Sequence, residues 1–286
     1  MLPSLISADQ IETVIVDLNA LYRDVKTVRW LCTWLRTCAK RKSSGEESPI
    51  TLRLDNGKVR HIQTASLQKE LTVIKSLLDN LEHSAVVFCH NDLQEGNILL
   101  PLNASVGSKD LVVIDFEYAS YNYRAFDFAN HFCEWTIDYS IESSPYFTIN
   151  HNDFPSYEQQ AHFIRSYLAA SPCPPEGGAS AAAQSQSGSG SPVDQISDAR
   201  IAEIIAEVEG FIPISHFFWG VWALLQVELS PVHFGFAEYA RQRLAIYYES
   251  KPRMINALTR LQNANGNLKQ QSTMVSGDND DVNGTV

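Results

Sequence analysis

Glycine is scarce in the first third of the chain, where Gly45 and Gly57 are the only two before His90. A glycine-rich loop that wraps an anion with its backbone amides has no candidate there. Basic residues are also short. Against 33 Asp and Glu stand 22 Lys and Arg, a formal net charge of −11 that leaves no electrostatic footprint for nucleic acid. The same acidity suits a cationic small molecule. Cysteine occurs at Cys32, Cys38, Cys89, Cys133 and Cys173, an odd and scattered set without zinc-type spacing. This argues against a disulfide framework and reads as reduced thiols in a cytoplasmic protein. No uncharged apolar run is long enough to span a bilayer. The most apolar stretch, FIPISHFFWGVWALLQVEL, carries Pro213, His216 and Glu228 and is predicted to be a buried helix of a soluble protein. The opening MLPSLISADQ lacks the basic and apolar segments of a signal peptide.

What is abundant is apolar bulk. At 286 residues, with 44% hydrophobic and 10% aromatic side chains, the chain can build one large or two ordinary domains. Helical spacing runs through 9–39, where Ile11, Val14, Leu18, Leu21 and Tyr22 recur at three and four, and the polar stretch 40–48 breaks it. Asn56-Gly57 signals a turn between two short alternating runs, hence a small hairpin. Helical spacing returns over 66–81. Two short β-branched runs, 85–89 and 111–114, are predicted to be buried strands, paired as a hairpin so that the polar residues after each emerge together. Residues 127–135 and 157–168 read as helices. The Ser-, Ala-, Gly- and Gln-rich stretch 171–197 reads as a flexible insertion. Helices resume in ARIAEIIAEVEGF, HFFWGVWALLQ and EYARQRLAIYY, and beyond about residue 263 a polar, disordered tail is expected. There is no internal repeat.

The chemistry concentrates in HNDLQEGN, residues 90–97, and in VVIDFEY, residues 112–118. Phosphoryl transfer from a nucleotide needs oxygen ligands for magnesium, a carboxylate near the attacking hydroxyl, and a means of holding the phosphates in line. A loop with Asp and then Asn five residues on, followed by a strand ending in Asp, supplies the first two. Asp92 is the candidate base, Asn97 a magnesium ligand and Asp115 the main magnesium carboxylate. The bland alternative is that Asp92 and Asn97 form turns and cap a helix, as these residues commonly do. Phe116-Glu117 departs from the Phe-Gly that follows the metal-binding Asp in protein kinases, which argues against an ordinary protein kinase.

VVFCHNDLQEGNILL and VVIDFEYASYNYRAFDFANHFCEW resemble the choline/ethanolamine kinase family, related to the aminoglycoside phosphotransferases. HFFWGVWALLQVELS and FGFAEYARQRLAIYY extend the likeness. The resemblance implies an α+β fold, the predominantly helical C-terminal lobe of a protein-kinase-like architecture with a short catalytic β-hairpin region. It implies an inter-lobe helix and the start of the helical lobe over 1–84, a catalytic and choline-binding region over 85–262, and the tail over 263–286. The implied activity is ATP- and Mg²⁺-dependent phosphorylation of choline or ethanolamine, the first step toward phosphatidylcholine or phosphatidylethanolamine.

Carried over by position, the resemblance makes Asp92 the base, places Gln94 beside the transfer site, makes Asn97 and Asp115 metal ligands, and has His90 orient the loop through hydrogen bonds. Tyr118, Glu134, Tyr139, Trp219, Trp222 and Tyr239 match the family's choline-pocket positions, and Phe236 stands where a Tyr is common. Aromatic faces suit a trimethylammonium group, which has no N–H to donate. Trp219 and Trp222, three apart on a helix, share a face. Taken without the resemblance, their spacing favours a core stripe, since buried aromatics are common, while Tyr239 is equally an ordinary buried tyrosine and Glu134 a partner for Arg124. A broader aminoglycoside-type phosphotransferase would need acidic residues where the two tryptophans stand. The family's glycine-rich loop and nucleotide lysine have no counterpart before residue 90, while ISADQIETVIVDLNALYR resembles its inter-lobe helix. The expectation is therefore a short form with slow turnover. Its alternative is a catalytically impaired module that binds choline or pairs with a full-length kinase. The partners expected in either case are a second copy, as a homodimer, or a full-length kinase.

Overall fold

Ile50–Arg53 (β1), which alternates buried and exposed, pairs antiparallel with Val59–Ile62 (β2) to close the expected hairpin, in register from Ile50 opposite Ile62 to Arg53 opposite Val59. Gly57, at φ +75°, occupies the left-handed region that a tight turn requires. The computed structural model describes residues 50–54, 57–79, 81, 84–102, 111–171 and 196–276. The helix expected over 9–39, the polar break after it and most of the insertion expected over 171–197 lie outside these.

Helix α1 (Thr64–Leu78) buries Leu67, Leu71, Ile74 and Leu78 at spacings of three and four. The strands that follow pair differently from the sequence expectation. β3 (Val86–Cys89) runs antiparallel to β6 (Ser120–Tyr123), and β4 (Ile98–Leu99) pairs with β5 (Val112–Val113). The two expected strands are therefore not partners. The backbone turns into the left-handed region at Asn91 (φ 66°) and Asp115 (φ 62°), which sends each strand end into a new segment. Nor are the runs buried: in the first Phe88 is exposed and Cys89 alone is buried, and in the second Leu111, Val112, Val113 and Ile114 are all exposed. Two strands of two residues leave the second run no second layer to pack against.

Helix α2 (Arg124–Glu134) hides Phe126, Phe128, Ala129, Phe132 and Cys133. It leads into the small pair β7 (Ile137–Asp138) and β8 (Thr148–Ile149). Helix α3 (Tyr157–Ala170) starts on a reciprocal cap between Ser156 and Gln159.

The first two helices expected after the insertion are one. Helix α4 spans Asp198–Leu229 with Pro213 inside it, and Ser197 caps its start. A proline removes one rung of the ladder, yet around and after Pro213 the helix is almost wholly buried, packed between α2 and α5, so burial overrides the break. It is long and apolar enough to cross a membrane, but 83% of its apolar window is buried in the fold. Helix α5 runs from Phe236 to Ser276, well past the point where a disordered tail is expected. Gly210 and Gly220 let the two long helices approach: a Cβ there would lie 2.5 Å from Leu258 and 2.8 Å from Leu244. Across the far side, Lys251 Nζ lies 2.6 Å from Glu70, which also accepts from the Tyr247 hydroxyl, tying α1 to α5. The architecture is α+β, helical with a few short strands.

Candidate active site

The loop after β3 is held at nearly every backbone atom. Asp127, in the first turn of α2, accepts from the amides of His90 (3.1 Å) and Asn91 (2.7 Å). Asn91 has no exposed surface. Its amide nitrogen donates to the Tyr118 carbonyl and to Ser120 Oγ, and its oxygen accepts from Asn122 at 2.8 Å. These bonds offset the cost of a left-handed backbone at a residue with a Cβ. His90 bridges the two halves of the motif. Its Nε2 donates to the Ile114 carbonyl (2.9 Å) and its Nδ1 accepts from the Asp92 amide (3.3 Å), which sets the neutral tautomer from both sides. His90 thus touches both strand ends and orients the loop.

Asp92 is half-buried and lines a cavity of about 390 Å³. Burial, with Glu134 and then Asp115 and Glu117 adding negative charge, pushes its carboxyl up to about 7, against the opposing effect of a hydrogen bond from Asn97. A carboxylate poised near neutrality is suited to exchanging a proton. Asn97 spends its amide nitrogen on Asp92, at the carbonyl (2.8 Å) and the carboxylate (3.1 Å). Its own carbonyl receives the Ile114 amide at 3.0 Å, so Asn97 and the Asp115 strand end are joined. Gln94 Oε1 caps the short turn at Gly96 (2.7 Å), and the residue lines the cavity beside Asp92. Among the described residues no group of three or more His, Cys, Asp or Glu is placed to hold a metal by itself.

Aromatic residues make up much of the wall of the same cavity, which Tyr118, Tyr139, Trp219, Trp222, Phe236 and Tyr239 all line. The Trp219 and Trp222 rings meet edge-on at 5.3 Å, as their helical spacing predicts. Trp222 Nε1 donates to the Tyr118 hydroxyl at 3.0 Å, linking the cage to the segment after Asp115. Phe236 packs against Trp222 with centroids 5.8 Å apart. Glu134 also lines the cavity. It pairs with Arg243 of α5 at 3.2 Å, so Arg124 is not its partner, and its second oxygen accepts from the Tyr139 hydroxyl at 2.8 Å. Arg243 donates further to the Tyr239 hydroxyl and to Ser215, which in turn donates to Asn130. Asn130 Oδ1 also receives Trp219 Nε1 (2.6 Å), and its nitrogen reaches the Asn91 carbonyl (3.2 Å). A single hydrogen-bonded chain therefore runs from the Asp92 loop to the floor of the aromatic cavity.

The sequence reading missed several members of this site. Phe234 lines the cavity and packs on Phe236 at 4.9 Å. Asp127, Asn130 and Arg243 were not singled out. Asp127, Asn130, His131 and Glu134 sit at i, i+3, i+4 and i+7 in an otherwise apolar helix, a polar stripe visible in FDFANHFCEW. Arg243, one turn after Tyr239, carried no comparable signal.

A family model for choline/ethanolamine kinase matches residues 10–248. Choline kinase A2 of Caenorhabditis elegans is 41% identical over 222 residues, covering 69% of this chain and 47% of its own length. A choline/ethanolamine kinase of Homo sapiens is 40% identical over 191 residues, covering 66% of this chain and 44% of its own. A crystal structure of choline kinase from Cryptosporidium parvum Iowa II superposes with a TM-score of 0.55 at 25% identity, over 82% of this chain and 58% of that one. The chain spans about half the length of the curated relatives it matches. Matched along most of its length, the chain belongs to the choline/ethanolamine kinase family.

Proposed function

We propose that this chain forms the helical lobe of a protein-kinase-like alcohol kinase, moving the terminal phosphoryl group of ATP onto the hydroxyl of choline or ethanolamine. One observation carries the reading: a single cavity is lined both by Asp92 and by a set of aromatic rings with Glu134. An amino alcohol carries the matching pair of groups, a hydroxyl and a cation. Aromatic faces hold a cation without requiring it to donate hydrogen bonds. With the cation seated among Trp219, Trp222, Phe236 and Tyr239, the hydroxyl points toward Asp92.

Asp92 then accepts the hydroxyl proton as the alcohol oxygen bonds to the γ-phosphorus and the bond from that phosphorus to the bridging oxygen breaks, leaving ADP. Asn97 and Asp115 offer hard oxygen donors, and Asn97 presents its amide oxygen because its nitrogen is taken up by Asp92. Magnesium needs few protein ligands beside water and phosphate, so this pair fits it. When bound, the ion supplies positive charge to the phosphate oxygens. A cytoplasmic setting agrees with the two described cysteines, Cys89 and Cys133, being free thiols. The product would supply headgroups for phospholipid synthesis.

The test is phosphocholine formation by the purified chain with ATP and magnesium, beside an Asp92→Asn variant. Loss of a general base is expected to cost about 10²- to 10⁴-fold in rate. Choline binding by calorimetry without transfer, in a chain that Asp92→Asn leaves unaffected, would replace the kinase reading with that of a binding module.

A further inference from the structure

One titratable side chain in the region has no place in the chemistry above. His131 lies on α2, one turn after Asp127, with its ring stacked on Phe163 at a centroid distance of 4.9 Å. Its Nδ1 is 2.8 Å from the carbonyl of Leu93, the residue between Asp92 and Gln94. A carbonyl only accepts, so Nδ1 carries the proton. The other face of the ring agrees: Trp135 Nε1, which only donates, lies 3.2 Å from His131 Nε2. The tautomer is set at both ends. Burial lowers the affinity of the ring for a second proton, against the opposing pull of the Leu93 carbonyl and of Asp127 and Glu134. Glu95 and Asp153 line the same neighbouring cleft as His131.

The backbone of the loop is therefore gripped from one helix face at four places. Asp127 takes the amides of His90 and Asn91, Asn130 takes the Asn91 carbonyl, and His131 takes the Leu93 carbonyl. The first three bonds precede Asp92. The bond from His131 is the only one of the four on its far side, and it holds the 93–94 peptide against α2. The peptide directly after Asp92 is held within the loop, its carbonyl accepting from Asn97 Nδ2 (2.8 Å) and from the Gln94 amide (2.9 Å). The clamped plane also carries the Gln94 amide that donates to the Asp92 carbonyl, so its shift is passed to the plane that flanks Asp92, and small errors in the placement of a reacting group are costly in rate.

We infer that His131 is a positioning residue, which fixes the direction of the Asp92 carboxylate by clamping the Leu93 carbonyl with its Nδ1–H. The activity arm of its test rests on the kinase reading above, whereas the exchange arm does not. Two variants of the full chain separate the clamp from simple packing. His131→Phe keeps a ring on Phe163 and removes the donor. His131→Asn gives up the ring but places an amide N–H where Nδ1 stands. His131→Phe is expected to lower kcat about tenfold with little change in the KM for choline, and His131→Asn to restore most of it, since loss of one buried hydrogen bond is being read. In hydrogen exchange on the ligand-free chain, residues 93–97 should lose protection in His131→Phe and regain it in His131→Asn. Equal kcat in His131→Phe and the unsubstituted chain, or equal exchange in 93–97 across all three proteins, would overturn the inference. So would a ranking in which His131→Asn is the worse variant. If the unsubstituted chain transfers no phosphate at all, the kinase reading fails, and the exchange arm still decides the clamp.

Discussion

Arg243, without exposed surface, lies 3.2 Å from a carboxylate oxygen of Glu134 beneath the aromatic cavity. The carboxylate that faces the proposed cation is thus already compensated by a guanidinium. A buried pair of this kind is costly to break from one side, because the remaining charge stays desolvated. Arg243→Met is expected to destabilise the chain by about 3 to 5 kcal/mol in urea unfolding. The double variant Arg243→Met with Glu134→Gln should recover more than half of that. Strictly additive losses would show that the two residues do not act as a pair. Glu134→Gln alone leaves the Arg243 charge facing the cavity, and calorimetry should show choline affinity reduced about tenfold or more, a step of about 1.4 kcal/mol.

Trp222 gives a second test of the cavity. Its ring meets Trp219 and Phe236, and its N–H holds the Tyr118 hydroxyl. Trp222→Ala removes a cation-facing surface and is expected to weaken choline binding by about 1 to 2 kcal/mol, roughly five- to thirtyfold in Kd. Trp222→Phe keeps an aromatic face while losing the bond to Tyr118, so its loss should be smaller. Unchanged choline affinity in Trp222→Ala would remove the aromatic cage from the proposed function.

Much of this site is legible from local sequence, and the rest has physical reasons for being hidden. Asp92, Asn97 and Asp115 stand out because their residue types and spacing are unusual for a core. Trp219 and Trp222 announce a shared face through helical period alone. The strand partners were not legible, because pairing was decided by left-handed turns at Asn91 and Asp115, residues whose side chains also suit ordinary loops. The fusion of two expected helices across Pro213 was hidden too, since the breaker signal is local and the burial that overrides it is not. Arg243 is the clearest case. On sequence it is one basic residue among several on a surface-like helix, and only the packing of α5 against α2 and α4 gives it Glu134 and Ser215 as partners.

Asn91 supplies a prediction about backbone strain. It holds φ at 66° and makes side-chain bonds to Tyr118, Ser120 and Asn122 inside the fold. Asn91→Ala loses those bonds, leaves their partners unsatisfied and keeps a Cβ in an unfavourable region. A loss of about 2 to 4 kcal/mol in unfolding free energy is expected. Asn91→Gly loses the same bonds but tolerates the left-handed backbone, so it should be more stable than Asn91→Ala by about 1 kcal/mol. That order is the reverse of the usual cost of glycine. Finding Asn91→Ala the more stable of the two would mean that the turn is not held left-handed in solution.

His216 gives the molecule a pH dependence of defined sign. It is buried on α4 with Nε2 3.6 Å from the Cys133 sulfur, and burial, then Arg243 and His151, hold its protonation well below the ordinary imidazole value of 6.5. Cys133 cannot compensate, because burial pushes its thiol up to about 12 and keeps it neutral. The unfolded chain therefore binds a proton at this position before the folded one does, and stability rises with pH wherever that holds. The contribution is complete above about pH 6.5, the unfolded value, and is lost progressively as pH falls below it. Buried carboxyls raised toward neutrality, Asp92 and Asp127, act in the opposite direction, so the comparison must be between variants. His216→Leu should flatten the decline in urea midpoint between about pH 7 and about pH 5 relative to the unsubstituted chain. Parallel pH profiles for the two proteins would show that His216 does not resist protonation in the folded state, and that water reaches the ring between α2 and α4.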